Sequence, residues 1–284
     1  MVYLVGTKIF LGPAGIPTVS KGGGTVGGIK TVASLGLNAM EVEFVRGVKM
    51  GSEAAKECGK TAEELGIKLS VHAPYFINLC STDKKVVEAS KKRIFDSAVR
   101  AGEMDATVVV FHPGYYSGLP PEKAFELVKK ACEDLIDMIK SQGIKNILFG
   151  LETTGKVSQF GTLEENIEMS KKVGGCIPAL DPAHLFARNA GKIDYSDIFE
   201  KIKPLKLKHV HMHFSGIKWR PVKATGKGNE WYHIEIKSNQ PPFEPLAKEI
   251  LKRKLDVTII SESPVLEQDS LIMKKIFEKL GYKF

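Results

Sequence analysis

Histidine and acidic residues recur at the ends of apolar segments along this chain, an arrangement suited to metal binding. Those that close or follow such segments are His72, His112, Glu152, Asp181, His184, His211 and Glu262. Apart from the neighbouring Asp181 and His184, consecutive members lie about 30 to 50 residues apart, roughly one strand–helix–strand unit. Imidazole nitrogens and carboxylate oxygens gathered in this way are ligands for divalent ions. The pattern therefore predicts a metal cluster built from successive strand ends.

Apolar segments rich in β-branched residues alternate with amphipathic segments along the whole chain. Strands are predicted at residues 3–10, 39–44, 68–72, 107–112, 146–152, 176–181, 207–213 and 256–262. Helices are predicted at residues 25–35, 52–65, 84–101, 121–142, 163–173, 195–202, 245–252 and 266–280. Such alternation predicts an α/β fold, a single (β/α)8 barrel over residues 1–284, with long loops at 12–24 and 215–242. The metal site is expected at the C-terminal face of the barrel strands.

Composition narrows the choice of partners and compartment. The 284 residues carry a formal net charge of +8. This charge favours nucleic acid as a partner, although a solvated, lysine-rich surface explains it equally well. Four widely spaced cysteines are expected to be reduced thiols. Because we find no apolar run long enough for a bilayer and no signal peptide, we expect a cytoplasmic protein with no membrane partner.

The segment LKHVHMH presents three histidines at alternate positions of one predicted strand. His209, His211 and His213 therefore point to the same face. We predict that the central His211 is a metal ligand. His209 is expected deeper in the barrel, and His213 nearer the rim as a supporting or substrate contact.

Three acidic residues and one further histidine have specific predicted roles. Asp181 either caps a turn that begins at Pro182 or binds a metal; we favour binding, with His184 on a different ion. Glu152 and Glu262 are the candidate catalytic residues. We expect them to bridge two cations, or one of them to act as the base for an activated water.

A glycine-rich segment, KGGGTVGG, formally matches a dinucleotide-binding fingerprint at Gly22, Gly24 and Gly27. In that fingerprint the glycines follow a strand immediately, whereas here GPAGIPTVSK intervenes. We interpret the segment as a flexible loop rather than a nucleotide site.

The ordered motifs SVHAPYFINL, FHPG, LET, LDPAH, MHFS and SESP resemble the endonuclease IV family of apurinic/apyrimidinic (AP) endonucleases, within the xylose-isomerase-like barrels. The resemblance covers nearly the whole chain. It implies a site for two or three Zn²⁺ ions, with Mn²⁺ as the alternative. By this resemblance His72 and His112 hold one ion, Glu152 bridges to a second ion held by Asp181, His211 and Glu262, and His184 binds a third.

The third ion is where this chain departs from the family pattern. Family members complete that site with an aspartate and a histidine two residues later. Here His233 matches the histidine, but the nearest preceding acid is Glu230, three residues back. Glu230 and His233 are therefore the candidate third-site ligands.

The resemblance also implies a DNA-binding surface. Arg46, Tyr75 and Phe76 match positions that insert into damaged DNA, although ordinary loop packing explains them as well. The basic residues of the seventh loop are candidate phosphate contacts or a solvated loop: Lys218, Arg220, Lys223 and Lys227.

The function that the resemblance implies is zinc-dependent hydrolysis of the DNA phosphodiester 5′ to an abasic site, as in base excision repair. The expected partner is double-stranded DNA containing abasic sites, bound by a monomer. Two alternatives stay open: a sugar isomerase or epimerase on the same barrel, and a metal-retaining homologue that binds damaged DNA with weak cleavage or none.

Overall fold

The computed structural model describes residues 6–223 and 225–284, and within them a closed barrel of parallel strands surrounded by helices. The barrel strands are β1 (Ile9–Pro13), β2 (Ala39–Glu43), β3 (Lys68–His72), β4 (Val108–Phe111), β5 (Leu148–Glu152), β6 (Cys176–Ala179), β7 (Val210–Phe214) and β10 (Val257–Ser261). A hairpin, β8 (Gly216–Val222) and β9 (Lys227–Ile234), lies outside the barrel. The predicted α/β barrel is therefore confirmed.

Parallel pairing runs through two sheets that join at both edges. Strands β2 to β6 pair in chain order, and β10 lies between β1 and β7. Single bridges from Ala14 to Glu41 and from Leu180 to Met212 connect the two sheets and close the barrel. The carboxyl ends of all these strands therefore meet at one face.

Helices cover the outside of the barrel and bury one apolar face each. They are α1 (Gly24–Ser34), α2 (Ser52–Leu65), α3 (Lys84–Glu103), α4 (Pro121–Ser141), α5 (Leu163–Lys172), α6 (Pro182–Arg188), α7 (Tyr195–Ile202), α8 (Phe243–Arg253) and α9 (Glu267–Lys279). Local signals set several starts: Asp83 caps α3, and Thr162 with Glu165 forms a capping box on α5. In the described part of the chain, no helix is both long and apolar enough to cross a bilayer.

The structure differs from the predicted elements most clearly in three places. The first strand was expected at residues 3–10, of which residues 3–5 lie outside the described ranges; β1 instead runs from Ile9 to Pro13. Its end was mistaken for a loop because glycine and proline usually interrupt strands. The predicted loop 215–242 contains the hairpin, whose alternating polar and apolar residues are half-exposed. The seven-residue α6 was also missed because it is too short to show periodicity.

Gly12 fits the end of β1 because β2 approaches its backbone closely. A Cβ placed at Gly12 would lie 1.6 Å from the carbonyl oxygen of Ala39. No side chain fits without moving one strand of the barrel. Glycine is therefore required here for closure rather than for a special backbone angle.

Replacing Gly12 by alanine is expected to lower the free energy of unfolding by about 3 kcal/mol or more, because the barrel must open locally to admit the methyl group. The measurement is urea denaturation followed by circular dichroism. Gly174→Ala is the matched control, since a Cβ there meets nothing within 4 Å. Equal stability of the two variants would contradict this account of closure.

Candidate metal centre

The C-terminal face of the barrel gathers acidic and histidine side chains from almost every strand. Strand β2 contributes Glu41 and Glu43, and strand β7 contributes His211 and His213. Strands β3 and β5 contribute one residue each, His72 and Glu152. Residues just beyond other strands add His112, Asp181, His184 and Glu262, and the hairpin adds Glu230 and His233. Most predicted ligands thus lie around one cavity of about 550 Å³.

Glu152 lies at the centre of this cluster and is fully buried. Its Oε2 is 3.1 Å from His72 Nε2 and 2.9 Å from His112 Nε2, while its Oε1 is 3.0 Å from His184 Nδ1. Burial raises the pKa of this carboxyl, but the charges of His112 and His213 outweigh it, so the pKa lies well below its usual value. Glu152 is therefore an ionised carboxylate that reaches two sides of the cavity.

His72 is held in one orientation by the backbone. Its Nδ1 lies 2.8 Å from the carbonyl oxygen of Ala73, and an N–H at Nδ1 donates to that oxygen. The other nitrogen, Nε2, faces Glu152 and is the one that can bind an ion once it has lost its proton. In the absence of an ion, burial lowers the pKa of His72, but the charge of Glu43 and the contact with Glu152 raise it to about 10.

The strand that carries three histidines places His213, not His211, beside the central carboxylates. His213 Nδ1 is 3.1 Å from Glu262 Oε1 and 3.5 Å from Glu152 Oε1. His211 lies deeper, with Nε2 3.0 Å from Glu41 Oε2. The predicted positions of these two histidines are therefore corrected: His213 is fully buried rather than at the rim. The reason is that β7 extends to Phe214, so His213 lies within a fully buried strand rather than in the loop beyond it.

Glu41 and Glu43 are members of the cluster that the sequence analysis did not select. Glu41 Oε1 is 2.7 Å from His213 Nε2, and its Oε2 accepts from Ser70 Oγ at 2.7 Å. Burial raises the pKa of Glu43 to about 8, together with repulsion from Glu41, although His72 opposes this shift. A signal was available: two acids alternate within the apolar segment AMEVEF, so both face the barrel interior.

Asp181 combines the two roles that its sequence position allows. Its Oδ1 accepts the backbone N–H of His184 at 2.8 Å and so caps α6. Its Oδ2 is buried, without a hydrogen-bond partner, 3.4 Å from His184 Nδ1. One oxygen therefore starts the helix and the other remains available to a ligand.

The cluster has the donor chemistry of a metal site. Several buried atoms within it have short contacts but no hydrogen-bond geometry: Glu41 Oε1, Glu152 Oε1, Asp181 Oδ2, Glu230 Oε2 and both nitrogens of His213. Buried polar atoms are costly unless paired, and ligands of a shared ion approach one another without pointing at each other. Three groups bring ligand atoms within 4.8 Å: His72–Glu152–His213–Glu262, Glu41–His211–His213, and His112–Glu152–His184. The residues present therefore fit divalent ions.

The candidate DNA-binding residues are distributed more widely. Tyr75 lines the cavity mouth, and both Tyr75 and Phe76 are about two-thirds exposed. Arg46 lines an adjoining depression with Lys49 and Met50, which shares Glu43 and Val45 with the cavity. Lys218 and Arg220 lie on β8, with the Arg220 guanidinium stacked 3.6 Å over Trp231. Only Tyr75 of this set borders the candidate metal centre.

Comparison with known proteins agrees with this architecture. Residues 29–277 match the family model described as a xylose isomerase-like TIM barrel. The chain belongs to the xylose isomerase-like TIM barrel family. Among similar proteins, an uncharacterised protein of Methanocaldococcus jannaschii is 30% identical over a region that covers 96% of this chain and 98% of that protein. A probable endonuclease 4 of Mycoplasma mobile is 28% identical over 74% of each chain.

Solved structures of this xylose isomerase-like barrel fold include proteins of two different kinds. A D-tagatose 3-epimerase-like protein superposes with a TM-score of 0.71 at 19% identity, covering 94% of this chain and 96% of its own. Endonuclease IV from Thermus thermophilus superposes with a TM-score of 0.67 at 18% identity, covering 94% and 98%. At these identities the likeness establishes the fold alone.

Replacing Glu152 by glutamine is expected to weaken zinc binding by at least about 100-fold, because the central anionic oxygens are lost in a buried site. Zinc affinity can be measured by competition with a chromogenic chelator. Glu164→Gln, at an exposed position on α5, is the control and should bind zinc as the unaltered protein does. Unchanged affinity of Glu152→Gln would show that the cluster is not assembled around this carboxylate.

Proposed function

We propose that this protein is a zinc-dependent AP endonuclease that hydrolyses the DNA phosphodiester 5′ to an abasic site. The observation that carries the proposal is Glu152, a buried carboxylate with imidazoles against both of its oxygens. Such a carboxylate suits two adjacent ions, the arrangement used in phosphodiester hydrolysis. Relatives named probable endonuclease 4 support the choice of reaction.

The candidate ligands divide between two ions. His72, His112 and Glu152 would hold the first ion, and Glu152, Asp181, His213 and Glu262 the second, with zinc or manganese as the metal. His213 replaces the predicted His211 because it alone of the two contacts Glu152 and Glu262. When bound, such ions polarise the phosphodiester and lower the pKa of the attacking water.

Glu262 and Tyr75 can assist the reaction from the cavity mouth. Burial raises the pKa of Glu262, but the charge of His213 brings it down to about 2, so the carboxylate stays ionised. It can hold an ion and orient the attacking water by accepting a hydrogen bond from it. Burial raises the pKa of Tyr75 to about 12, so its hydroxyl keeps its proton and can donate a hydrogen bond to a phosphate oxygen.

The shape of the site suits a nucleotide without a base. A cavity of about 550 Å³ admits a sugar phosphate extruded from the helix. An abasic nucleotide has no stacking to lose, so its extrusion costs less than that of an intact one. Exposed aromatic residues beside the cavity, Tyr75 and Phe76, are placed to fill the space left in the duplex. The net charge of +8 favours contact with DNA phosphates.

A sugar epimerase is the second candidate, because the fold resembles an epimerase-like protein as closely as it resembles endonuclease IV. An epimerase site needs an acid or base on each side of a small polyol, and Glu152 with Glu262 could supply them. The number of imidazoles around Glu152 favours the nuclease. Conversion of ketohexoses by the zinc- or manganese-loaded protein, without nicking of abasic DNA, would decide for the epimerase.

The direct test is nicking of a duplex with one abasic site by the zinc-loaded protein. Cleavage is expected only 5′ to the lesion, leaving a 3′-hydroxyl, and Glu262→Gln should lower the rate by about 10³-fold or more. The variant prepared in the same way also controls for contaminating nucleases, and Glu164→Gln should retain full activity. Equal nicking by the unaltered protein and Glu262→Gln, or none by either, would reject the proposal.

A further inference from the structure

A loop after β5 is fixed at the mouth of the cavity; we call residues 153–160 the mouth loop. The buried guanidinium of Arg188 donates from Nη1 to the carbonyl oxygens of Lys156 at 2.7 Å and Gln159 at 3.0 Å. The same nitrogen also donates to Thr154 Oγ1 at 2.9 Å. Arg188 therefore holds the mouth loop from the side of α6.

The hairpin holds the mouth loop from the opposite side. The Glu230 N–H donates to the carbonyl oxygen of Gly155 at 2.9 Å, and the Val157 N–H donates to Asn229 Oδ1 at 2.8 Å. Gly155 is pressed against the hairpin, since a Cβ there would lie 2.2 Å from Glu230 Oε2. Lys156, between these two fixed residues, is thus placed by backbone contacts on both sides.

The Lys156 ammonium points into the cavity that holds the candidate metal ligands. Its Nζ is 3.1 Å from Glu230 Oε1, and the side chain is 38% exposed. Lys156 borders the cavity together with His112, His184 and His233. The other oxygen of Glu230, Oε2, lies 3.1 Å from His184 Nε2. Glu230, the carboxylate expected to bind a third ion, is therefore already paired with the positively charged ammonium of Lys156.

One ring nitrogen of His233, the remaining expected ligand of that ion, already has another partner, although the ring lines the same cavity 5.3 Å from the ring of His184. His233 Nδ1 lies 2.9 Å from Ser215 Oγ and 4.0 Å from Glu262 Oε2. Among residues 6–223 and 225–284, none of the assembled ligand groups includes Glu230 or His233. The third metal site implied by the sequence resemblance is therefore not assembled, in contrast to the centre around Glu152.

We propose that the Lys156 ammonium takes the place of a third metal ion and binds an anionic oxygen of the substrate phosphodiester. One of its three N–H donors pairs with Glu230, which leaves others to face the cavity. A metal ion beside this ammonium would be repelled by it, because the negative charge of Glu230 is already neutralised. This inference rests on the proposed phosphodiesterase function, and it assigns the site two ions rather than three.

Metal counting tests the inference without any assay of cleavage. After loading with a small excess of zinc and gel filtration, elemental analysis should find about two ions per chain in the unaltered protein and in Lys156→Arg. Lys156→Gln frees Glu230, and the partly exposed His233 can turn toward it, so about three ions are expected. The double variant Lys156→Gln with Glu230→Gln should return to about two. Lys123→Gln, on the exposed face of α4, is the charge-matched control.

Two results of the count would overturn the inference: about three ions in the unaltered protein, or no gain in a folded Lys156→Gln variant. Folding is checked by the thermal transition of each variant. Zinc binding by none of the proteins would overturn the metal centre itself. If Lys156→Gln gains one ion but the unaltered protein does not nick abasic DNA, the two-ion assignment is supported and only the proposed nuclease activity is rejected.

Inorganic phosphate tests the anion-binding role separately. With two zinc equivalents supplied per chain, calorimetry should show phosphate bound about tenfold more weakly by Lys156→Gln than by the unaltered protein. Lys156→Arg, which keeps a cation, should restore most of that affinity. Equal phosphate affinity in all three proteins would contradict the role of Lys156 in binding the substrate anion.

Discussion

The structure depends on the burial of several carboxylates together at the mouth of the barrel. Glu41, Glu152 and Asp181 are wholly inaccessible to solvent, and the side chain of Glu262 is 18% exposed. Isolated charges in such a place are strongly unfavourable, and proteins keep them only when opposite charges or metal ions accompany them. Histidines supply part of that compensation here, but Glu152, Asp181 and Glu41 each retain an oxygen without a hydrogen bond. Divalent ions bound as proposed would provide the remaining charge.

The barrel is the means by which distant residues reach this cluster. Parallel strands end at one face, so a side chain at the end of each strand points toward a common axis. Gly12 permits closure between β1 and β2, and Asp181 begins α6 in the position that brings His184 to the cluster. The hairpin and Arg188 then fix the mouth loop over one side of the cavity. Local contacts outside the barrel therefore set which charges line its entrance.

The features that depend on regular periodicity could be predicted from the sequence. The barrel and the strand-end residues His72 and Glu152 follow from apolar segments that end in a polar residue. Features that depend on the exact depth of a strand, or on contacts between distant segments, could not be predicted in this way. The burial of His213 depends on how far β7 extends. The Lys156–Glu230 pair depends on the packing of the hairpin on the mouth loop. Glu41 and Glu43 were detectable from their alternation within the apolar segment AMEVEF.

Anomalous diffraction at the zinc absorption edge tests the central claim most directly. In crystals of the protein grown with zinc, the account predicts two strong peaks about 3.5–4 Å apart, one on each side of Glu152, near His72 and His213 respectively. The carboxylate should lie between them, with His184 and Glu230 bordering no third peak. An anomalous map without density at Glu152, from protein saturated with zinc, would contradict the account.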